Sequence, residues 1–162
     1  MANICYNELY FIGDNVKVKE ANLFLAGLPI DDWDGAAIPS TDGYFQDLYF
    51  GKGCFHFGTR WVPDMVTLKT LADRFEVGFI LDYSDPAMSL YGQARYEKGR
   101  ASDVRLGVDD YAKIKYLSRR DVYEYGGGAY RNLETLSREL LKEKIKLDGG
   151  KKQQQRTQKP KL

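Results

Sequence analysis

The stretch GKGCFHFGTRWVP, residues 51–63, contains the only histidine of the chain, one of its two cysteines and one of its two tryptophans. In an extended strand, every second side chain points to the same face. The bulkier set, which we expect to face the core, consists of Phe55, Phe57, Thr59 and Trp61. The alternate set, which we expect to face outward, consists of Cys54, His56, Gly58 and Arg60. The alternation therefore predicts a core strand with a polar outer face.

An RNA-recognition strand is an alternative, because Lys52-Gly53 precedes alternating aromatic residues. In that motif the aromatic side chains lie on the open face of the sheet and stack on bases. Here Phe55 and Phe57 come one position later than in the motif, and a one-residue shift turns a side chain to the opposite face. The spacing therefore argues against RNA recognition by this strand.

The periodicity of the flanking sequence predicts the element order β-α-β-β-α-β-β. Period-two alternation marks the strands, and apolar residues at helical spacing mark the helices. Asp14 or Asn15 can cap the first helix, and Asp64 lies near the positive end of the second. The predicted elements are a strand at 3–13, a helix at 14–29, strands at 44–50 and 54–61, a helix at 63–75 and strands at 77–85 and 88–97.

This order predicts an α+β fold, a ferredoxin-like βαββαβ sheet with an additional strand. Right-handed crossovers place the third strand between the first and the second. The first strand should then turn Leu9 and Phe11 inward with Cys5, and Glu8 outward. Cys5 and Cys54 begin antiparallel neighbours at opposite ends, about 20 Å apart, so we expect no disulfide.

The part after residue 99 is predicted to be a C-terminal helical appendage. A short strand at 103–108, a short helix that begins at Asp109, a flexible break at 126–128 and a helix at about 130–146 are expected there. Residues 148–162 lack apolar residues except the last, which predicts a disordered basic tail. The predicted domains are 1–99, 100–147 and 148–162.

The composition predicts a cytoplasmic protein with no membrane association and no cofactor. The chain has 162 residues, of which 43% are hydrophobic, but no apolar run approaches the roughly 20 residues that span a bilayer. The first residues carry Glu8 and no basic segment, unlike a signal peptide. Two cysteines and one histidine offer neither a disulfide framework nor a metal-ligand spacing.

The net charge of +1 conceals an asymmetry. From Lys142 onward there are eight basic and two acidic residues, which leaves 16 basic and 21 acidic residues before it, a net charge of −5. A mildly acidic body repels nucleic acid on average, whereas the basic tail attracts it. The tail residues that could contact nucleic acid are Lys151, Lys152, Arg156, Lys159 and Lys161.

Four stretches of the sequence resemble the YubB ferredoxin-like family. They are MANICYNELYFIG at the start of the chain, HFGTRWVP with a Gly-Thr-Arg-Trp signature at 58–61, LADRFEVGFILDYSD, and LYGQARY, which together span about residues 1–96. Ile4 departs from the family, which often has tryptophan at this position. The resemblance implies a ferredoxin-like fold and a mobile-element setting in plasmids, phages or genomic islands, and it supplies no catalytic residues.

The predicted outer face carries Glu8, His56, Arg60 and Asp82. An acid/base or anion site is one interpretation, because histidine titrates near neutral pH and arginine binds carboxylate or phosphate in a bidentate manner. A ladder of cross-strand salt bridges is the simpler interpretation. We therefore expect no enzyme, with these four side chains as the weak candidates for one.

Two segments are candidates for contacts with a partner protein. Trp33 lies between Asp32 and Asp34 in an acidic loop, and Tyr123 and Tyr125 belong to a tyrosine-rich segment. Tryptophan and tyrosine suit interfaces because they combine an apolar body with a polar tip. The sequence thus predicts a non-catalytic protein-binding module that acts on a host or defence component. The alternatives are nucleic-acid binding through the tail and an enzyme that uses His56, Arg60 and Glu8.

Overall fold

The first strand, β1 (Ile4–Ile12), lies inside a seven-stranded sheet and pairs with an antiparallel neighbour on each side. The computed structural model describes residues 3–157, and the chain forms two compact units, Met1–Asp103 and Val104–Leu162. The other strands of this sheet are β2 (Gly35–Ala37), β3 (Tyr44–Gly51), β4 (Cys54–Arg60), β5 (Gly78–Asp85), β6 (Leu90–Glu97) and β7 (Arg100–Arg105), of which β7 extends two residues past the end of the first unit. Its helices are α1 (Asn15–Ala26), α2 (Met65–Arg74) and a short 3-10 turn at Pro86–Met88.

The strand order is β2-β3-β4-β1-β5-β6-β7. β4, the third of the predicted strands, therefore lies between β1 and β3, as right-handed crossovers require. This confirms the ferredoxin-like fold predicted from the sequence, extended by further strands at both edges of the sheet.

Helices α1 and α2 share one hydrophobic core with the inward faces of the strands. Phe55, Phe79 and Leu9 are at most 1% exposed. Burying each of these side chains contributes about 1.5–3 kcal/mol to folding. The helices contribute the buried residues Ala21, Leu25, Leu68, Leu71 and Ala72.

Aspartate side chains cap both helices. The Asp14 carboxylate accepts hydrogen bonds from the backbone N–H groups of Val16 and Lys17, and that of Asp64 accepts one from Thr67. Each cap satisfies N–H groups that have no partner within the helix and stabilises it by about 1 kcal/mol. The caps fix the residues at which the two helices begin, and therefore where the chain turns from the sheet to pack over one of its faces.

The segment at residues 30–43, which includes the acidic loop expected around Trp33, contains the edge strand β2. Ala36 pairs with Phe45 of β3, and Asp31 accepts a hydrogen bond from the Trp33 N–H. A three-residue strand of glycine and alanine carries no alternation that the sequence could reveal, so its formation depends on pairing with β3.

Trp61 is not part of the core, contrary to its predicted place on the inner face. Its side chain is 54% exposed, and its backbone lies in the left-handed region with φ = 66°. β4 ends at Arg60, the Thr59 hydroxyl donates to the Val62 carbonyl, and the Trp61 N–H donates to the Asn3 carbonyl. This local turn ends the strand alternation one residue before Trp61.

The second unit contains a small sheet where the sequence predicted a helix that begins at Asp109. The helix α3 (Val108–Tyr111) ends after four residues and is followed by β8 (Lys115–Leu117), β9 (Val122–Tyr125) and β10 (Gly128–Tyr130), which pair in the order β10-β9-β8. β-branched and aromatic residues favour strands here. Gly126 and Gly127 both have positive φ and form the β9–β10 turn, so the predicted flexible break is a hairpin turn.

The last helix, α4 (Leu133–Thr157), runs past the predicted end near residue 146. It includes residues 148–157, for which the sequence predicted disorder, because lysine, glutamine and arginine are good helix formers even without a core to face. Residues 158–162 of the predicted tail lie outside the described residues. No helix within residues 3–157 is both long and apolar enough to cross a membrane.

We predict that two aromatic truncations will separate the core from the surface. Phe57→Ala, at a side chain that is 3% exposed, should lower the free energy of unfolding by about 3–5 kcal/mol. Trp61→Ala should lower it by less than about 1 kcal/mol, because little buried surface is lost. Urea denaturation of the two variants measures both values. Equal losses would place Trp61 in the core after all.

Candidate functional site

The outward face of the sheet brings Glu8, His56 and Asp82 side by side. Glu8 of β1 lies opposite His56 of β4 on one side and opposite Asp82 of β5 on the other. The nearest Glu8 carboxylate oxygen lies 3.9 Å from Nδ1 of His56. Asp82 accepts a hydrogen bond of 2.8 Å from the Gln93 amide. Three of the four predicted outward residues therefore form one cross-strand row.

Arg60 does not join this row. It lies opposite Ile4, four residues further along β4 than His56, which is about 13 Å along a strand. The outward position of all four residues could place Glu8 between Arg60 and Asp82, but the register places His56, and not Arg60, beside Glu8. The antiparallel register is the physical reason, because it assigns one opposite residue to each position.

The row continues from His56 to Cys54, which the sequence placed on the same face without predicting a contact between them. Sγ of Cys54 lies 3.3 Å from Nε2 of His56, and the ring of Tyr49 stacks on the imidazole with a centroid distance of 4.8 Å. Residues two apart on a strand share a face. The Cys-x-His spacing was therefore the available signal for this contact.

Arg60 instead lines a surface pocket of about 410 Å³. The lining residues are Asp31, Trp33, Tyr44, Gln46, Gly58, Thr59 and Arg60. They come from the loop before β2 and from the neighbouring strands β3 and β4, so the pocket depends on the β2–β3 pairing that the sequence did not reveal. Within the pocket, Trp33 is 81% exposed.

Asp31 holds the loop that carries Trp33. One of its carboxylate oxygens accepts hydrogen bonds from the Trp33 N–H at 2.9 Å, the Gly35 N–H at 3.2 Å and the Tyr44 hydroxyl at 3.0 Å. These bonds, that of Trp33 first, lower the pKa of Asp31. The Tyr44 hydroxyl lies 2.1 Å from where a Cβ at residue 35 would be, so a side chain at that position would displace the Tyr44 ring. Asp31 therefore serves as a structural anchor rather than as a free acid.

The two acids beside Trp33 have different environments. Asp32 and Asp34 are both exposed. The Asp34 backbone has φ = 56° and its carbonyl accepts a hydrogen bond from the Asp47 N–H. This bond ties the loop to β3 at the position where the β3–β4 register shifts. The loop is thus held at both sides of Trp33.

The predicted tyrosines of the second unit are engaged within that unit. Tyr123 packs against Tyr116 with a ring-centroid distance of 5.0 Å, and the Tyr125 hydroxyl donates to Glu143 at 3.0 Å. The bond to Glu143 raises the pKa of Tyr125. Both side chains are half-buried, so neither presents a free face comparable to that of Trp33.

The predicted nucleic-acid residues fall at the end of the chain. Lys151, Lys152 and Arg156 belong to α4, and their side chains are not among those described. Lys159 and Lys161 lie outside the described residues altogether. Within the part of the chain that the structure describes, no three His, Cys, Asp or Glu side chains are grouped to hold a metal ion.

The sheet order and the two helices on one core define the class of the protein as ferredoxin-like α+β. Residues 41–128 match the model of the family described as the ferredoxin-like domain in Api92-like protein. This segment is more than half of the chain, and the chain belongs to this family. Comparison with curated proteins and with solved structures gave no match.

We predict that acid will release the Trp33 loop. Because the pKa of folded Asp31 is lowered, its stabilising effect is present above the ordinary aspartate value of about 3.9 and is lost as the pH falls through the lowered value. In a Trp61→Phe chain, Trp33 is the only tryptophan, so the tryptophan fluorescence comes from Trp33 alone. This fluorescence should change in the acid range. Adding Asp31→Asn should remove that transition, and a transition that persists unchanged would show that Asp31 does not hold the loop.

Proposed function

We propose that the protein is a non-catalytic protein-binding module whose contact surface is the pocket of Trp33, Tyr44 and Arg60. The observation that carries the proposal is the 81% exposure of Trp33 on a backbone fixed by Asp31. A large apolar side chain held in water costs free energy that a partner regains by covering it. Buried tryptophan, tyrosine and arginine side chains dominate the energy of many interfaces.

The fixed backbone lowers the cost of binding. Three hydrogen bonds to Asp31 and one from Asp47 to Asp34 hold the loop in place before any partner arrives. Ordering an interface loop on binding costs free energy, so a loop that is already ordered leaves more of the contact energy for affinity. Trp33 is therefore presented as a preorganised anchor.

Arg60 gives the pocket a cationic group that can pair with an acidic residue of a partner. Arg60 is exposed, and among the described residues its guanidinium forms no hydrogen bond and no ion pair. Asp31 keeps its negative charge but is occupied by three neutral donors, so Arg60 is the group of the pocket that can pair with a carboxylate of a partner. A guanidinium beside aromatic rings suits a carboxylate next to an apolar side chain.

The setting is proposed from the resemblance to the YubB ferredoxin-like family. A protein of a plasmid, phage or genomic island in the cytoplasm meets host or defence proteins, and a small binding module suits such an encounter. The separation of Arg60 from His56 and Glu8 favours binding over the three-residue enzyme, because the guanidinium and the acid/base pair do not face one reacting group.

We predict that the full chain will select peptides from a random library that carry Asp or Glu beside an apolar residue. Trp33→Ala and Arg60→Gln should each weaken the selected peptides at least about tenfold, the loss expected of an interface hot spot. Trp61→Ala and Arg100→Gln are matched controls, since both residues are exposed and neither lines the pocket. Isothermal titration measures the affinities.

Equal peptide affinity of the Trp33→Ala chain and the unchanged chain would contradict the proposal. The proposal would also be contradicted if no peptide is selected and single-stranded oligonucleotides bind in a way that depends on Trp33 and Arg60. A third outcome is that no peptide is selected, that oligonucleotides bind, and that removing residues 148–162 abolishes oligonucleotide binding. Nucleic-acid binding through the tail would then replace the protein-binding proposal.

A further inference from the structure

Exposed aromatic side chains continue the outer face of the sheet beyond the proposed pocket. Trp33 and Tyr44 line the pocket itself. Tyr6 of β1 is 60% exposed, and Tyr49 of β3 is 58% exposed although its ring stacks on His56. Large aromatic side chains in water gain free energy when a partner covers them. Tyr6 and Tyr49 therefore need a partner of their own or a larger partner for the pocket.

The register of the sheet connects the pocket with Tyr6. Gly58 lines the pocket and lies opposite Gln46 of β3 on one side and Tyr6 of β1 on the other. Gly58 carries no side chain, and a Cβ added there would lie 2.9 Å from Cγ2 of Ile4. No side chain of β4 therefore stands between the pocket and Tyr6. The pocket and Tyr6 belong to one continuous surface.

The shape of this surface favours a narrow extended segment as its occupant. β4 and β1 are paired on both sides, so a partner cannot join them as an added strand. Arg60 and His56 lie two residues to either side of Gly58, about 13 Å apart along the strand. An α-helix with its side chains is about 10–12 Å wide. A helix between them would leave no room for the side chains of Arg60 and His56.

The spacing of the strands matches the repeat of a polyproline II helix. β4 alone separates β3 from β1, so Tyr49 and Tyr6 stand on strands about 9.6 Å apart. A polyproline II helix has three residues per turn and repeats every 9.3 Å or about that distance. Two prolines three positions apart can therefore meet a tyrosine of β3 and the tyrosine of β1. Grooves lined by aromatic side chains are the usual docking sites of such segments.

The charges of the outer face favour a peptide over a nucleic acid. Glu8 and Asp82 lie in the row next to Tyr6 on the same face, and Asp31 lines the pocket. Surfaces that bind single-stranded nucleic acid combine aromatic side chains with a positively charged groove. Carboxylates repel the phosphate backbone instead. A peptide with a single acidic residue for Arg60 avoids this repulsion.

The chain does not supply such a segment itself. Pro29 and Pro39, the nearest pair among its five prolines, are ten residues apart. A proline-rich occupant of the outer face therefore comes from another protein.

We propose that the exposed aromatic side chains form one docking surface for a proline-rich segment in the polyproline II conformation, with an acidic residue that pairs with Arg60. The surface consists of Trp33, Tyr44, Tyr49 and Tyr6. The inference rests on the proposed function, because it assigns a class of partner to the same pocket. It adds Tyr6, which does not line the pocket, as a specificity-determining residue.

The test uses synthetic ten-residue peptides and the full chain. Each peptide has prolines three positions apart and one glutamate, which occupies a different remaining position in each peptide. In the control peptides glycine replaces every proline, which removes the preformed conformation at the same length and charge. Isothermal titration should show that the best proline peptide binds at least about tenfold more tightly than its glycine counterpart.

Tyrosine variants locate the contact. Tyr6→Ala should weaken the best proline peptide at least about tenfold, and Tyr6→Phe, which keeps the ring, should retain its affinity. Tyr116→Ala is the matched control, because Tyr116 is an exposed tyrosine of the second unit and should not affect binding.

The outcomes separate this inference from the proposed function. Equal affinity of proline and glycine peptides, or no effect of Tyr6→Ala while Trp33→Ala weakens binding, would overturn the inference and leave the pocket in place. Loss with Tyr6→Ala but not with Trp33→Ala would support the proline-binding face and contradict the pocket. Failure of every proline peptide to bind would overturn the inference, whether or not single-stranded oligonucleotides bind through Tyr6.

Discussion

The position of β1 between two antiparallel neighbours is the constraint on which the rest of the first unit depends. In this register Leu9 lies opposite Phe55 and Leu81 on the inner face, and Glu8 lies opposite His56 and Asp82 on the outer face. A slip of one residue would exchange the two faces and place the acid in the core. The burial of the apolar face therefore holds the polar row of the outer face in place.

β4 extends this constraint to two different sites. Its first half places Cys54 and His56 against the outward residues of β1, and its end carries Arg60 to the pocket of Trp33 and Tyr44. The same four-residue separation that keeps Arg60 away from Glu8 leaves its guanidinium available to a partner. The strand thus contributes residues both to the polar row and to the proposed binding surface, and the two sets of residues do not overlap.

The elements of the βαββαβ sheet could be predicted because their signals are local. Alternation in β1 and β4 and the caps at Asp14 and Asp64 each depend on nearby residues. The inward parity of Phe55 and Phe57 followed from the same alternation and is confirmed by their burial.

The features that the sequence did not reveal depend on pairing between distant segments or on local turns. β2 has only three small residues and forms by pairing with β3, so the pocket that it helps to build was not predicted. The alternation in the sequence placed Trp61 on the inner face, but the strand ends before Trp61 at a turn in which its backbone is left-handed. The Cys54–His56 contact was available from the Cys-x-His spacing, whereas the pairing of His56 with Glu8 depends on the register with another strand.

The register of β1 can be measured directly in solution by nuclear Overhauser contacts between backbone protons of opposite strands. The account predicts cross-strand contacts of Glu8 with both His56 and Asp82, and of Ile4 with Arg60. Contacts of Asn7 or Leu9 with His56 in place of Glu8 would mean a register shifted by one residue. That result would contradict both the placement of Arg60 in the pocket and the pairing of His56 with Glu8.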